Sequence, residues 1–223
     1  ITEDSIVPIL PLVKQDIAKA LSRAVEKATI DGQKSGVIDT GDPPGANDVR
    51  NAWDGYRYEV PSSAKVDFSS WTSSNGLSLL RALRAKMGKY GVKPNDLAYV
   101  VSIGGFNKLL GIDEVVTIDK YGPNATILTG ELGKIDGIPI IVSEYVREDL
   151  NASGVYSGAG NTNTIVLLVN RPALMYGDKR KITVKQDELI QTDQTVVVAT
   201  MRKAFTNLYS GEADIALGYG LPL

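Results

Sequence analysis

The sequence predicts an α+β fold, and three observations carry that prediction. A long apolar stripe at helical spacing occupies the first thirty residues, and a second, basic helical stripe follows near residue 80. Beyond residue 98 the pattern changes to short β-branched runs separated by Gly, Pro, Asn and Asp. Helical stripes early in the chain and strands later make it an α+β mixture.

The first helix follows Pro8 and Pro11, the latter suited to a first helical turn where its missing N–H has no partner to lose. Leu10, Val13, Ile17, Ala20, Leu21, Ala24, Val25 and Ala28 recur at intervals of three and four, and Gly32 supplies a stop. Such a helix is about 30 Å long and is expected to pack on the core. Residues 32–70 read as a long connection rich in turn formers, with Trp53, Tyr56 and Tyr58 as its packing anchors. Asp39-Thr40-Gly41-Asp42 lacks the ligand spacing of a calcium loop and reads as turn chemistry.

Ser73-Ser74-Asn75 offers caps for a second helix over 76–90, with Leu79, Leu80, Leu83, Met87 and Tyr90 on one stripe and Arg81, Arg84, Lys86 and Lys89 facing solvent. A strand over 98–103 then meets Gly104-Gly105 and a short helix. That glycine pair has neither phosphate-loop spacing nor a full dinucleotide fingerprint, so a structural turn is expected. Further strands are predicted at 115–118, 126–128 and 138–142. The last should be buried, with Pro139 near its start and a reversal at Lys134-Ile135-Asp136 between Gly133 and Gly137. Residues 151–164 read as an exposed loop. Strands follow at 165–169, 173–176, 178–186 (a polar edge), 194–206 with Val196, Val197, Val198 and Met201 buried, and 213–217.

Composition narrows the function. The chain has 223 residues, 43% hydrophobic and 22% charged, which suits a folded protein with a substantial core. It has no histidine and no cysteine. Ser-His-Asp and Cys-His catalysis and the usual zinc sites are therefore excluded, and no disulfide framework exists. A net charge of −2 gives no electrostatic case for gripping nucleic acid, and no continuous apolar stretch is long enough to cross a bilayer. No cofactor or metal site is indicated.

Several segments in one order resemble the major capsid proteins of tailed bacteriophages. They are "LSRAVEKATIDG" at 21–32, the basic helix, strand and short helix at 76–110, the "LGxxxGxPxxVS"-type segment within 130–146, "IVLLVNRPAL" at 165–174, "RKAF" at 202–205 and the closing strand. The resemblance implies the Hong Kong 97-type capsid fold: a long spine helix, a peripheral domain with long strands, and an axial domain whose mixed sheet is flanked by helices. On this reading residues 1–75 and 178–208 form the peripheral domain and 76–177 and 209–223 the axial domain. The family's N-terminal arm and extended loop, which precede the spine helix, are expected to be missing from this chain.

The implied role is a structural, non-enzymatic subunit that self-assembles into pentamers and hexamers around a phage genome. It would touch packaged double-stranded DNA weakly and would work with scaffolding or decoration proteins but no membrane. The implied location is the virion capsid, with the host cytoplasm during assembly. Lys14, Lys19, Arg23 and Glu26 on the spine helix and Arg180 and Lys181 on the edge strand are the expected subunit contacts. The alternatives are an encapsulin-type compartment of the same fold and, in another class, a carboxylate hydrolase using Glu131, Asp136 and Glu144. A binding module built on the loop 151–164 is a further one.

Overall fold

The computed structural model describes residues 9–113, 133–158, 160–189, 191–192 and 194–223. The strands expected at 115–118 and 126–128 lie outside them. Helix α1 (Ile9–Asp31) runs 23 residues and is followed by the short helix α2 (Tyr56–Glu59). Strand β1 (Lys65–Asp67), helix α3 (Gly76–Lys86), strand β2 (Leu97–Val101) and helix α4 (Ile103–Leu110) come next. The rest is strand: β3 (Lys134–Ile135), β4 (Ile138–Val142), β5 (Asn163–Asn170), β6 (Leu174–Leu189), β7 (Gln194–Asn207) and β8 (Ile215–Pro222).

Six strands form one mixed sheet in the order β1-β8-β5-β2-β4-β3. β2 is parallel to β4, β1 is parallel to β8, and β5 is antiparallel to both of its neighbours. Every residue of β2 is buried, as is all of β5 after Asn163. This explains why "LAYVV" and "IVLLV" show no alternation: a central strand covered on both faces has no polar side. α3 packs on β1 and β8 through Leu80 and Leu83, and α4 lies against β5. At about 25 cal/mol per Å², a fully buried leucine contributes roughly 2 kcal/mol.

The remaining strands, β6 and β7, leave this sheet as a separate two-stranded ribbon, 16 and 14 residues long. The two strands expected at 173–176 and 178–186 are therefore one, carried through register irregularities near Arg180. Tyr176 and Phe205 at the ribbon's root pack with Trp53 and Tyr56, with ring centroids 5.6–6.4 Å apart. The aromatic residues of the connecting segment do anchor it, as expected.

Local chemistry corrects several boundaries. α3 ends at Lys86, not Tyr90, because Gly88 turns left-handed (φ +52°) and the Arg84 guanidinium donates to the carbonyls of Gly91 and Val92. Ile103 belongs to α4: Ser102 Oγ accepts the Gly105 N–H at 3.0 Å, an N-cap that places the glycine pair inside the helix. The reversal before β4 falls on Asp136 (φ +49°) and Gly137 (φ +79°), an Asp-Gly hairpin turn joining Ile135 to Ile138. β4 is buried only at its start, and Ile141 and Val142 are exposed because two-residue β3 covers little of its outer edge.

At the other end of the chain, Val196 and Val198 are exposed and Val197 and Met201 half-buried, since the ribbon carries its apolar run away from the core. α1 departs furthest from expectation. Its fully buried residues are confined to the last turn, Ile17, Leu21, Ala24 and Val25 are only half-buried, and Leu12 is half exposed.

Candidate functional site

Where α1 ends, the chain builds a buried ionic cluster. Gly32 is required there: a Cβ would stand 2.3 Å from the carbonyl oxygens of both Ala28 and Trp53. This close approach brings Asp31 beside Arg57 of α2. Arg57 Nη1 donates to Asp31 Oδ1 at 2.5 Å and to Asp39 Oδ2 at 2.8 Å. Its Nη2 donates to Asp39 Oδ1 at 2.5 Å and to the Gly154 carbonyl at 2.9 Å. Asp39 also accepts the Tyr156 backbone N–H at 2.8 Å. Arg147 stacks on the Tyr156 ring, reaches Asp42 at 2.9 Å and clamps Asp149 with two hydrogen bonds. Arg50 ties Asp42 to Asp48.

The electrostatics of the two central acids differ. Burial works to raise the Asp39 carboxyl, but the Arg57 hydrogen bonds and charge outweigh it and hold Asp39 below its ordinary range. For Asp31 burial wins over Arg57, and its carboxyl is raised. Asp39-Thr40-Gly41-Asp42 is thus more than turn chemistry, because Asp39 has no exposed surface and joins α2 to the loop 151–158. That loop is correspondingly not free: Gly154 is buried and Tyr156 half-buried. Among the described residues no group of acids is arranged to hold a metal ion. The cluster's chemical role is positional. It fixes the end of α1 to the sheet's loops, so α1 leaves in one direction.

Among the described residues, both α1 and the ribbon leave large apolar side chains uncovered. On α1, Leu12 and Val13 are exposed. On the ribbon, Met175, Tyr176, Val196 and Val198 are exposed. Of the residues expected at subunit contacts, Lys14 is half-buried, and Lys19 is exposed and 4.0 Å from Asp16. Arg23 and Glu26 are exposed but engage their own chain: Arg23 lies 3.7 Å from Glu144, and Glu26 accepts the Ser143 hydroxyl at 2.6 Å. Arg180 and Lys181 are exposed on β6, far along the sequence from the helix set.

The sequence marks Asp39 only as turn chemistry and Asp31 only as part of a helix end, and it singles out neither Arg57 nor Arg147. Its one available signal was three arginines and several aspartates crowded into segments otherwise rich in turns.

Two other readings find their residues already occupied. The N–H of Gly104, at the start of α4, is taken by the Glu148 carboxylate at 2.7 Å, so the helix end that resembles a phosphate cradle is filled by the chain itself. Of the hydrolase candidates, Glu131 lies outside the described residues, Asp136 is held by two hydrogen bonds from Arg81, and Glu144 faces Arg23. No helix among the described residues is long and apolar enough to cross a membrane.

The fold has counterparts among solved structures. The chain superimposes on a structure of Mycobacterium phage Che8 with a TM-score of 0.58, covering 98% of this chain and 65% of that one at 13% identity. It also superimposes on the capsid of an empty GTA particle with a TM-score of 0.61, covering 97% and 67% at 16% identity. The fold is that of the phage major capsid proteins.

The capsid of cyanophage P-SCSP1u aligns as well, with a TM-score of 0.52 over 94% of this chain and 62% of that one, at 16% identity. In sequence, the chain is 25% identical over 200 residues to the major capsid protein of Escherichia phage T5. That alignment covers 90% of this chain and 39% of the T5 protein, so the chain spans about two fifths of its curated relative. No family model matches the sequence. The α+β capsid fold with its long helix, long strands and mixed sheet is therefore the architecture expected from the resemblance.

Proposed function

We propose that this chain is the shell-forming region of a phage coat subunit, acting by self-association and not by catalysis. The observation that carries the proposal is the alignment with the T5 major capsid protein along nine tenths of the chain, within a shared fold. Copies would associate as pentamers and hexamers that close into a shell around double-stranded DNA, in the virion and, before that, in the host cytoplasm. The sheet with α3 and α4 would form the axial domain about the symmetry axes. α1 and the ribbon would form the peripheral domain, with Lys14, Lys19, Arg180 and Lys181 at contacts between copies. Arg23 and Glu26 would act there through the backbone they brace.

Physical reasoning supports this. A shell subunit needs large surfaces repeated by symmetry, not a cleft. Histidine and cysteine are dispensable to that task. A hydrolase is disfavoured because the described candidate acids, Asp136 and Glu144, are each paired with an arginine. Expression of the full-length gene product followed by electron microscopy and light scattering tests the proposal. Closed shells or capsomer rings are expected. A protein that stays monomeric at high concentration, with any scaffold supplied, overturns it. Shells that hold a protein cargo instead of DNA would replace the virion reading with a bacterial compartment.

A further inference from the structure

The ribbon carries a charge pattern that its own fold leaves unresolved. Its root half, residues 174–183 and 200–207, holds Lys179, Arg180, Lys181, Arg202 and Lys203 against a single acid, Asp178. Its outer half, the described residues of 184–199, holds Asp187 and Glu188 against a single cation, Lys185. Asp178 is already taken by Lys203 at 3.3 Å. Lys179, Arg180, Lys181 and Arg202 are exposed and make no ion pair with any described residue.

The register sharpens this, because Arg180 stands directly opposite Arg202. Like charges facing each other across two strands destabilise the pair. Beyond Asp178, which Lys203 already engages, the next acids on the ribbon offer no relief. Asp187 is seven residues from Arg180, or about 24 Å along an extended strand. That is about three times the screening length of roughly 8 Å at physiological salt.

The outer half has a matching deficit. Asp187 is paired in register with Val196, and Lys185 with Val198. Side chains two apart on a strand share a face, so all four lie on the same side of the ribbon. Val196 and Val198 are 38% and 52% exposed. Exposed β-branched residues on a bare ribbon are what a neighbouring strand or loop would cover.

We propose that the acidic, valine-bearing outer half of one ribbon lies along the basic root half of a second copy's ribbon. Asp187, on the face of Val196 and Val198, then meets Arg180 and Arg202 across the subunit boundary, and Glu188 on the opposite face adds its charge at longer range. The same contact covers Val196 and Val198. The inference rests on the coat-subunit reading and assigns it a specific contact. A second copy is favoured over nucleic acid because the acids at the outer half repel phosphate, and phosphate would leave the valines uncovered.

Charge exchange in the full-length protein tests this, with shells counted by electron microscopy and sedimentation. Two variants reverse one side each, R180E/R202E and D187K/E188K, and a third carries all four substitutions. Each single-sided variant is expected to lose shells by about tenfold or more, since it juxtaposes like charges. The four-substitution variant is expected to recover them. Thermal melts of dissociated subunits keep misfolding apart from lost contact: R180E/R202E exchanges one like-charged cross-strand pair for another, so the subunit should melt as wild type.

Single-sided variants that assemble normally, or a four-substitution variant that does not recover although its subunits melt as wild type, overturn the contact. R180E/R202E shells that form in normal number but retain less DNA also overturn it, in favour of phosphate binding. Absence of shells from the wild-type protein is a different failure, since it removes the coat-subunit reading itself.

Discussion

Arg57 is the residue on which α1's attachment to the sheet depends, and Arg57→Met isolates its charge while keeping most of its volume. The substitution removes all four hydrogen bonds made by the guanidinium: one to Asp31, two to Asp39 and one to the Gly154 carbonyl. Two carboxylates with 4% and 0% exposure are left behind. Asp39 keeps the Tyr156 N–H and Arg147 at 3.5 Å, whereas Asp31 keeps no described ion-pair partner.

Breaking a buried pair by removing one partner costs about 3–5 kcal/mol. Here the partial rescue of Asp39 and the stranding of Asp31 together put the loss near 4 kcal/mol. For a chain of this length that lowers Tm by roughly 8–16 °C. Urea unfolding of the dissociated subunit measures it. R57M/D31N/D39N, which neutralises the whole site, should regain most of the loss, because the amides bear no charge to strand.

The pH dependence adds a second readout. In the wild type the depressed Asp39 contributes stability that is present above its unfolded pKa of about 3.9. It is lost as pH falls through the lower folded value. Without Arg57, burial raises both acids, so the variant recovers as they take up protons. Its deficit against wild type should be largest at neutral pH and shrink below about pH 5. A loss under about 1 kcal/mol at pH 7, or a deficit flat in pH, refutes the view that Arg57 neutralises a buried anionic pair.

Three further outcomes follow from single sites. Gly32→Ala should cost on the order of 3 kcal/mol by thermal melt, because the two carbonyl oxygens 2.3 Å from the new Cβ belong to backbone that cannot step aside. Gly137→Ala should cost about 1 kcal/mol in the same measurement, since φ +79° is left-handed and open to glycine at little cost. Asp214 is fully buried with neither carboxylate oxygen in a well-formed hydrogen bond, and burial raises its pKa against the weaker pull of the nearby Asn207 amide and local backbone N–H groups. Its ionised form is therefore disfavoured in the fold. Asp214→Asn should stabilise by about 1 kcal/mol at pH 7, with the gain vanishing as pH falls through the raised pKa and the wild-type carboxyl takes up its proton.

Much of the architecture is legible in local pattern. α1, β5 and β7 fall within a few residues of expectation, because a long apolar periodicity or a run of branched residues leaves the backbone few options. The ends of elements are less legible. α3 stops early at a left-handed Gly88, and Ile103 joins a helix because Ser102 caps it; both are decided by one or two atoms. The subunit contacts are the least legible. Glu26 and Lys19 look alike on a helical wheel, yet Glu26 is engaged by Ser143, 117 residues away, and Lys19 is not.

By itself the sequence determined the fold class, the exclusion of histidine and cysteine chemistry, and the order of segments that resembles a coat protein. Each of these follows from composition or from near neighbours along the chain. Only the tertiary structure decided which apolar residues are core and which are surface. Val166 and Val198 are the same residue in similar runs, but the first lies in a sheet covered on both faces and the second on a ribbon with nothing over it. Only the tertiary structure drew Asp31, Asp39, Arg57 and Arg147 together, since hydrogen bonds between residues up to 117 apart depend on the path of the whole backbone.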